Sequence, residues 1–182
     1  MRNSKVKGFT LIELIVVIAI IGVLAAILVP SMLGYVRNAR ISSANANAKQ
    51  VHTAVSSVLT QLGIDNYALG GATVKAVTLD EPSGDVIPAS WDSSNVTDER
   101  SDFISYLGEN FSGQGRAWFN PSTYSVYAAA WVGKKGDMPA DSVIMDGTSV
   151  KVTSSDQKKA AKEDGIIYGV YPLKTDNGSS TT

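Results

Sequence analysis

The sequence predicts an α+β chain, a long N-terminal α-helical spine with a transmembrane first half, packed against a C-terminal antiparallel β-sheet head in a lollipop arrangement. Three observations predict it. From Phe9 to Val29 only Thr10, Glu13 and Gly22 are not plainly apolar. Beyond Pro30, apolar residues recur at mostly three- and four-residue spacing as far as Leu62, the period of one helix face. From Ile64 onward, short β-prone runs are cut by Gly, Pro, Asn and Asp turn signals.

Composition narrows the function classes. With 182 residues, 44% hydrophobic and 18% charged, the chain is too apolar for disorder and long enough for one sizeable core. The absence of cysteine excludes a disulfide, a Cys-ligated zinc or iron–sulfur cluster, a thiol nucleophile and a c-type haem. A single histidine, His52, restricts acid–base chemistry, and a formal charge of −1 argues against a nucleic-acid footprint across the chain.

The first element is the apolar run. Its flank, MRNSKVKG, carries Arg2, Lys5 and Lys7 and no acid. The 21 residues from Phe9 to Val29 would span about 31 Å as a helix, close to the ~30 Å hydrocarbon thickness of a bilayer. The basic flank predicts the N-terminus inside and everything after Val29 outside. Ordinary signal-peptide cleavage is not expected, because the small-residue site at Ala25 and Ala26 lies inside the apolar stretch. Two residues are unusual in such a helix. Glu13 is an intramembrane acid, costing roughly 2.5–3.5 kcal/mol unless it snorkels, is protonated or meets a cation at the same depth. Pro30 lacks an amide hydrogen and, with Gly22, is expected to kink or locally open the helix.

The second element is the amphipathic half of the spine. Leu33, Val36, Ile41, Ala44, Ala48, Val51, Val55, Val58 and Leu62 form its apolar stripe, with Arg37, Arg40, Asn45, Asn47 and Lys49 between them and Gly63 as the stop. The head follows. Thr73 to Leu79 reads as a short extended piece, Asp80 to Ser94 as loop, and Thr97 as the cap of a helix bearing Phe103, Ile104 and Leu107 and stopped by Gly108. Arg116–Phe119, a turn at Asn120-Pro121-Ser122, and Thr123–Val132 read as a β-hairpin. After a turn at Gly133–Gly136, strands are expected at Ser142–Met145 and Ile166–Tyr171, with a helix from Ser155 to Glu163 opened by a Ser154/Gln157 capping box.

The stretch Gly8 to Pro30, GFTLIELIVVIAIIGVLAAILVP, resembles the class III signal of type IV prepilins and the related pseudopilins. The resemblance covers about the first third of the chain. It implies that a prepilin peptidase cuts after Gly8 and methylates Phe9, and that Glu13 pairs with the Phe9 amine of a neighbouring subunit, which fixes axial register more surely than it adds stability. Removal of Arg2, Lys5 and Lys7 would lower the basic residues from 16 to 13 against 17 acids, taking the charge from −1 to −4. The implied division is a leader at 1–8, a transmembrane and assembly helix at 9–30, the amphipathic half at 31–63 and a head at 64–182. Within the head lie an αβ loop at about 64–115, a sheet at about 116–172 and a tail at 176–182.

The leading functional expectation is a structural subunit, a major pilin, of a type IV pilus serving adhesion, twitching motility or DNA uptake. Its implied partners are identical subunits, the prepilin peptidase, an assembly-platform membrane protein with its ATPase, minor pilins, and membrane lipid before assembly. Alternatives are a pseudopilin of a type II-like secretion system and a membrane-anchored carbohydrate-binding adhesin. Many pilins of this family close the C-terminal loop with a disulfide. This chain cannot, so its C-terminal region is expected to be held by the last strand alone.

The head offers no catalytic constellation and no cofactor is expected. His52 lies off the apolar stripe and reads as a solvated or subunit-contact residue. Asp92, Asn95 and Asp98, or Asp137, Asp141 and Asp146, are possible calcium oxygens, but neither set matches an EF-hand and turn chemistry accounts for them. Lys134-Lys135 and Lys158-Lys159 read as solvated faces, so nucleic acid is not an expected partner. Trp118 beside Phe119, and Trp131 with Ala129 and Tyr127, read as one inward sheet face. Trp91, in a loop, is the candidate contact for a surface glycan.

Overall fold

A helix with one apolar stripe and strands that alternate in and out have to cover one another, and residues from Ala39 onward are arranged that way. The computed structural model describes residues 8–64, 75–80, 106–107, 111–134 and 136–175. The chain divides into two units, Met1–Asn38 and Ala39–Thr182. Helix α1, Leu11–Ile64, enters the second unit and contributes its buried stripe of Ile41, Ala44, Ala48, Val51, Val55, Val58, Leu59 and Leu62.

Strands β1 (Lys75–Asp80), β2 (Gln114–Asn120), β3 (Ser125–Val132) and β6 (Tyr168–Tyr171) form an antiparallel sheet in the order β1-β2-β3-β6. Between β3 and β6 lie helix α2 (Asp141–Ile144), the small hairpin β4 (Met145–Asp146) and β5 (Ser149–Val150), and helix α3 (Ser154–Glu163). Both sheet faces are covered. On one, Val51, Val55, Leu59 and Leu62 of α1 pack with Val77, Leu79, Ala117, Phe119 and Ala129. On the other, Trp118, Ala130, Val132, Tyr168 and Val170 pack with Ile144, Met145, Val150 and Val152. The α+β expectation, a long apolar N-terminal helix with a C-terminal antiparallel sheet, holds.

Several local expectations are corrected. Trp118 and Phe119 do not share one inward face: as neighbours in β2 they point into opposite cores. Tyr127 likewise leaves the face of Ala129 and Trp131, because the register shifts between Trp118↔Ala128 and Phe119↔Val126. The extra residue is a bulge, and it breaks the two-residue period. The hairpin turn itself is chemistry the sequence shows, with Asn120 Oδ1 accepting from Ser122 N at 2.8 Å and Thr123 N at 3.2 Å.

The strand expected at Ser142–Met145 is instead the helical turn α2 followed by two residues of β4. Ile144 is buried while Val143 is 47% exposed, and local packing overrides the β-propensity of this run. Helix α3 is capped one residue earlier than expected. Thr153 Oγ1 accepts from Asp156 N at 3.3 Å, and the Asp156 carboxylate accepts from Thr153 N at 2.9 Å. Gln157 is thereby free to turn inward, where it is 1% exposed. There its Nε2 donates to Asn45 Oδ1 at 2.7 Å and to the Tyr168 carbonyl at 3.0 Å, while Val170 N donates to the same Asn45 oxygen at 3.0 Å.

This network brings β6 so close to α1 that a Cβ at Gly169 would collide with the Ala44 carbonyl. Gly63, expected to stop α1, lies inside it. A Cβ there would sit 3.2 Å from the Tyr124 ring, so this glycine makes room for the β2–β3 turn. The C-terminal region is not held by β6 alone, since Lys174 N donates to the Val152 carbonyl at 3.1 Å and Thr153 bridges to Lys174. The expected loop from Asp80 to Ser94 lies outside the described residues apart from Asp80, which closes β1. The helix expected after Thr97 is described only at Tyr106 and Leu107, both helical. The 176–182 tail also lies outside.

Candidate assembly site

The first turn of a helix presents amide hydrogens with no intrahelical acceptor, and in a bilayer no water replaces it. The sequence Thr10-Leu11-Ile12-Glu13 supplies the acceptors. Glu13 Oε2 accepts from Thr10 N at 2.8 Å and from Thr10 Oγ1 at 2.7 Å, and Thr10 Oγ1 lies 3.4 Å from Glu13 N. This is a reciprocal capping box. Glu13 is therefore not a bare acid: its own chain orients it and uses one of its oxygens. The other, Oε1, has no hydrogen bond among the described residues. Phe9 precedes the box and is 89% exposed. The T-x-x-E signature that reveals the box is present in the sequence beside the acid it positions.

Beyond the box, every large hydrophobic residue of α1 from Leu11 to Val36 is exposed. By length and composition this stretch is able to cross a membrane. The local opening expected at Gly22 and Pro30 is absent from the single chain, where α1 is continuous through both. Proline removes one hydrogen bond, and in the same turn Ser31 Oγ donates to the Leu28 carbonyl at 2.9 Å.

The other candidates disperse. Trp91, Asp92, Asn95 and Asp98 lie outside the described residues. Asp141 forms an ion pair with Arg116 at 3.0 Å, Asp137 N donates to the Lys134 carbonyl at 3.2 Å, and Asp146 is exposed at the β4–β5 turn. Among the described residues no group of three His, Asp or Glu side chains is placed to hold a metal. His52 is half-buried rather than fully solvated. It meets the Tyr171 ring edge-on at 5.0 Å, and burial holds its pKa below the ordinary value against the opposing effect of a hydrogen bond with the Val126 backbone.

Residues 3–29 match the family described as the prokaryotic N-terminal methylation motif. The chain is 38% identical over 108 residues to the type IV major pilin protein PilE of Neisseria gonorrhoeae, covering 53% of this chain and 63% of that one. It is 42% identical over 59 residues to the type IV major pilin protein PilA of Myxococcus xanthus, covering 32% of this chain and 27% of the relative. A third relative, the type II secretion system core protein G of Pseudomonas aeruginosa, is 26% identical over 148 residues, 79% of this chain and 96% of its own. The alignments thus span less than two thirds of the major pilins named here. No solved structure matches.

Proposed function

We propose that this chain, one of the type IV pilin and pseudopilin superfamily, is the repeating structural subunit of a type IV pilus. Prepilin peptidase removes residues 1–8 and methylates Phe9. The processed chain waits in the cytoplasmic membrane with its N-terminus inside and its head outside, then an assembly-platform protein and ATPase drive it into a surface fibre with identical subunits and minor pilins. The fibre serves adhesion, twitching motility or DNA uptake, and the chain has no catalytic role. The transmembrane and assembly helix is 9–30, the amphipathic half 31–63 and the head 64–182.

The observation that carries this reading is the uncovered apolar surface from Leu11 to Val36, headed by a carboxylate that Thr10 has already oriented. Lipid covers that surface before assembly, and copies of the same helix cover it afterwards. Cleavage after Gly8 creates an ammonium at Phe9, and the unbonded Glu13 oxygen of an adjacent subunit accepts it. A buried carboxylate beside an ammonium is far less costly than one alone, and the pairing sets axial register. Gly22 and Pro30 are then where helical hydrogen bonds are given up in the packed fibre.

Mass spectrometry of sheared fibres tests the processing. A chain beginning at methylated Phe9 is expected, and one beginning after Ala26 would refute it. Gly8→Ser should leave the leader attached and the chain in the membrane. The second reading, a secretion pseudopilin, is favoured by the alignment over 96% of core protein G. Deleting the chain separates the two: loss of surface fibres with normal secretion supports the pilus, and retained exoproteins with fibres unchanged supports the pseudopilus.

A further inference from the structure

A bilayer centred on the run from Phe9 to Val29 would hold Thr10 and Glu13 inside it and leave apolar side chains outside. Beyond Val29, on the same continuous helix, Met32, Leu33, Tyr35 and Val36 are 66%, 58%, 78% and 40% exposed. At ~1.5 Å per residue the exposed apolar surface from Leu11 to Val36 is about 39 Å long, more than the ~30 Å of a hydrocarbon layer. An upright helix is therefore covered only in part, and its two ends decide which part.

Both ends favour a shift toward the C-terminus. An acid is among the costliest groups to hold in hydrocarbon, whereas each apolar side chain drawn from water into lipid is a gain. The window 14–34 has the same 21 residues as 9–29 and contains no ionisable side chain. Its only polar side chain is Ser31, whose hydroxyl is satisfied within the helix by donating to the Leu28 carbonyl at 2.9 Å. The carbonyl that Pro30 leaves without an amide, four residues back at Ala26, lies inside either window and does not choose between them. Just past residue 34 come Tyr35, an amphipathic ring suited to the headgroup level, and Arg37, the first cation after Lys7. The long arginine side chain is able to reach lipid phosphates.

We propose that before assembly lipid hydrocarbon surrounds residues 14–34, with Glu13 at the cytoplasmic boundary and Tyr35 and Arg37 among the phosphate headgroups of the outer face. This refines the membrane-anchored state proposed above and rests on it.

The chain has no cysteine, so single substitutions each place one spin label. Ile12→Cys, Val16→Cys, Ala19→Cys, Leu24→Cys, Met32→Cys and Asn38→Cys, all at exposed positions, are made in the full chain and reconstituted in vesicles of phosphatidylethanolamine and phosphatidylglycerol. Depth is read by electron paramagnetic resonance from the balance of oxygen against a water-soluble nickel chelate. The greatest depth is expected at Leu24→Cys, the midpoint of 14–34, with Val16→Cys and Met32→Cys equally deep on either side of it. Ile12→Cys should read at the headgroup level and Asn38→Cys in water, which brackets Tyr35 and Arg37 at the outer boundary. A maximum at Ala19→Cys, about 7.5 Å away along the helix, with Met32→Cys outside the hydrocarbon, would overturn this placement and leave the membrane anchor standing. Ile12→Cys and Met32→Cys both within hydrocarbon would overturn it in favour of a tilted helix that embeds the whole apolar stretch. No position shielded from the chelate would overturn the anchor itself, and the placement with it.

Discussion

The two halves of α1 share aliphatic side chains along one continuous helix, yet those side chains meet opposite surroundings. Leu59 in the second half is 0% exposed, and Leu24 in the first is 55% exposed. The second half presents a stripe, with Arg40, Ser42 and Lys49 on its outer side, and this chain's own sheet covers the stripe. The first half is apolar all round, so no single sheet face would bury it. A helix of that kind needs a surrounding solvent of lipid or of like helices. The stability of the head therefore resides in the second half, and the first half is the surface that the proposed assembly would use.

Leucine truncation is the largest way to break that contrast. Leu59→Ala should cost about 3 kcal/mol of head stability, from lost burial and the cavity left behind. Leu24→Ala, the same chemical change, should leave the denaturation midpoint of the head unmoved. Equal losses at the two sites would dissolve the distinction. A smaller effect is expected at the polar seam between α1, α3 and β6. Gln157→Leu leaves Asn45 Nδ2 and the Tyr168 carbonyl without their partner, a loss of roughly 1–3 kcal/mol measurable by chemical denaturation.

The smallest concerns pH. Burial lowers the His52 pKa below 6.5, so the unfolded chain binds this proton more readily than the folded one. Its contribution is fully present above 6.5 and declines as the pH falls below that value toward the folded pKa. His52→Gln should flatten the acid side of the stability profile, and an unaltered profile would return His52 to the solvated role its position off the apolar stripe predicts.

How much the sequence disclosed follows the same division. The spine was legible because hydropathy and the 3.6-residue period act over 54 residues and no tertiary contact has to be known. The Thr10/Glu13 box went unforeseen although its T-x-x-E spacing is local, because Glu13 was weighed only as an intramembrane acid. The Asn120 turn and the helix at α3 were legible for the same local reasons, though the cap of α3 fell one residue off because Ser154 and Thr153 are both plausible caps. What else escaped depends on contacts between distant residues. The bulge that moves Tyr127 to the other face depends on its pairing with β2. The inward turn of Gln157 depends on Asn45, 112 residues away. The helical turn at α2 depends on where Ile144 finds the core. Trp91 and the calcium candidates near it fall outside the described residues, and no structural reading attaches to them.

The central claim is that the acid which caps its own helix also registers the next subunit. Glu13→Val tests it most directly, scored as sheared surface fibre against membrane-bound chain at matched expression. Removing the carboxylate lifts an insertion cost of roughly 2.5–3.5 kcal/mol and loses one cap worth about 1 kcal/mol, so the membrane-bound chain should be at least as abundant as before. Fibre yield should collapse while processing at Phe9 continues. Abundant normal fibres from Glu13→Val would contradict the account and remove the pairing from assembly.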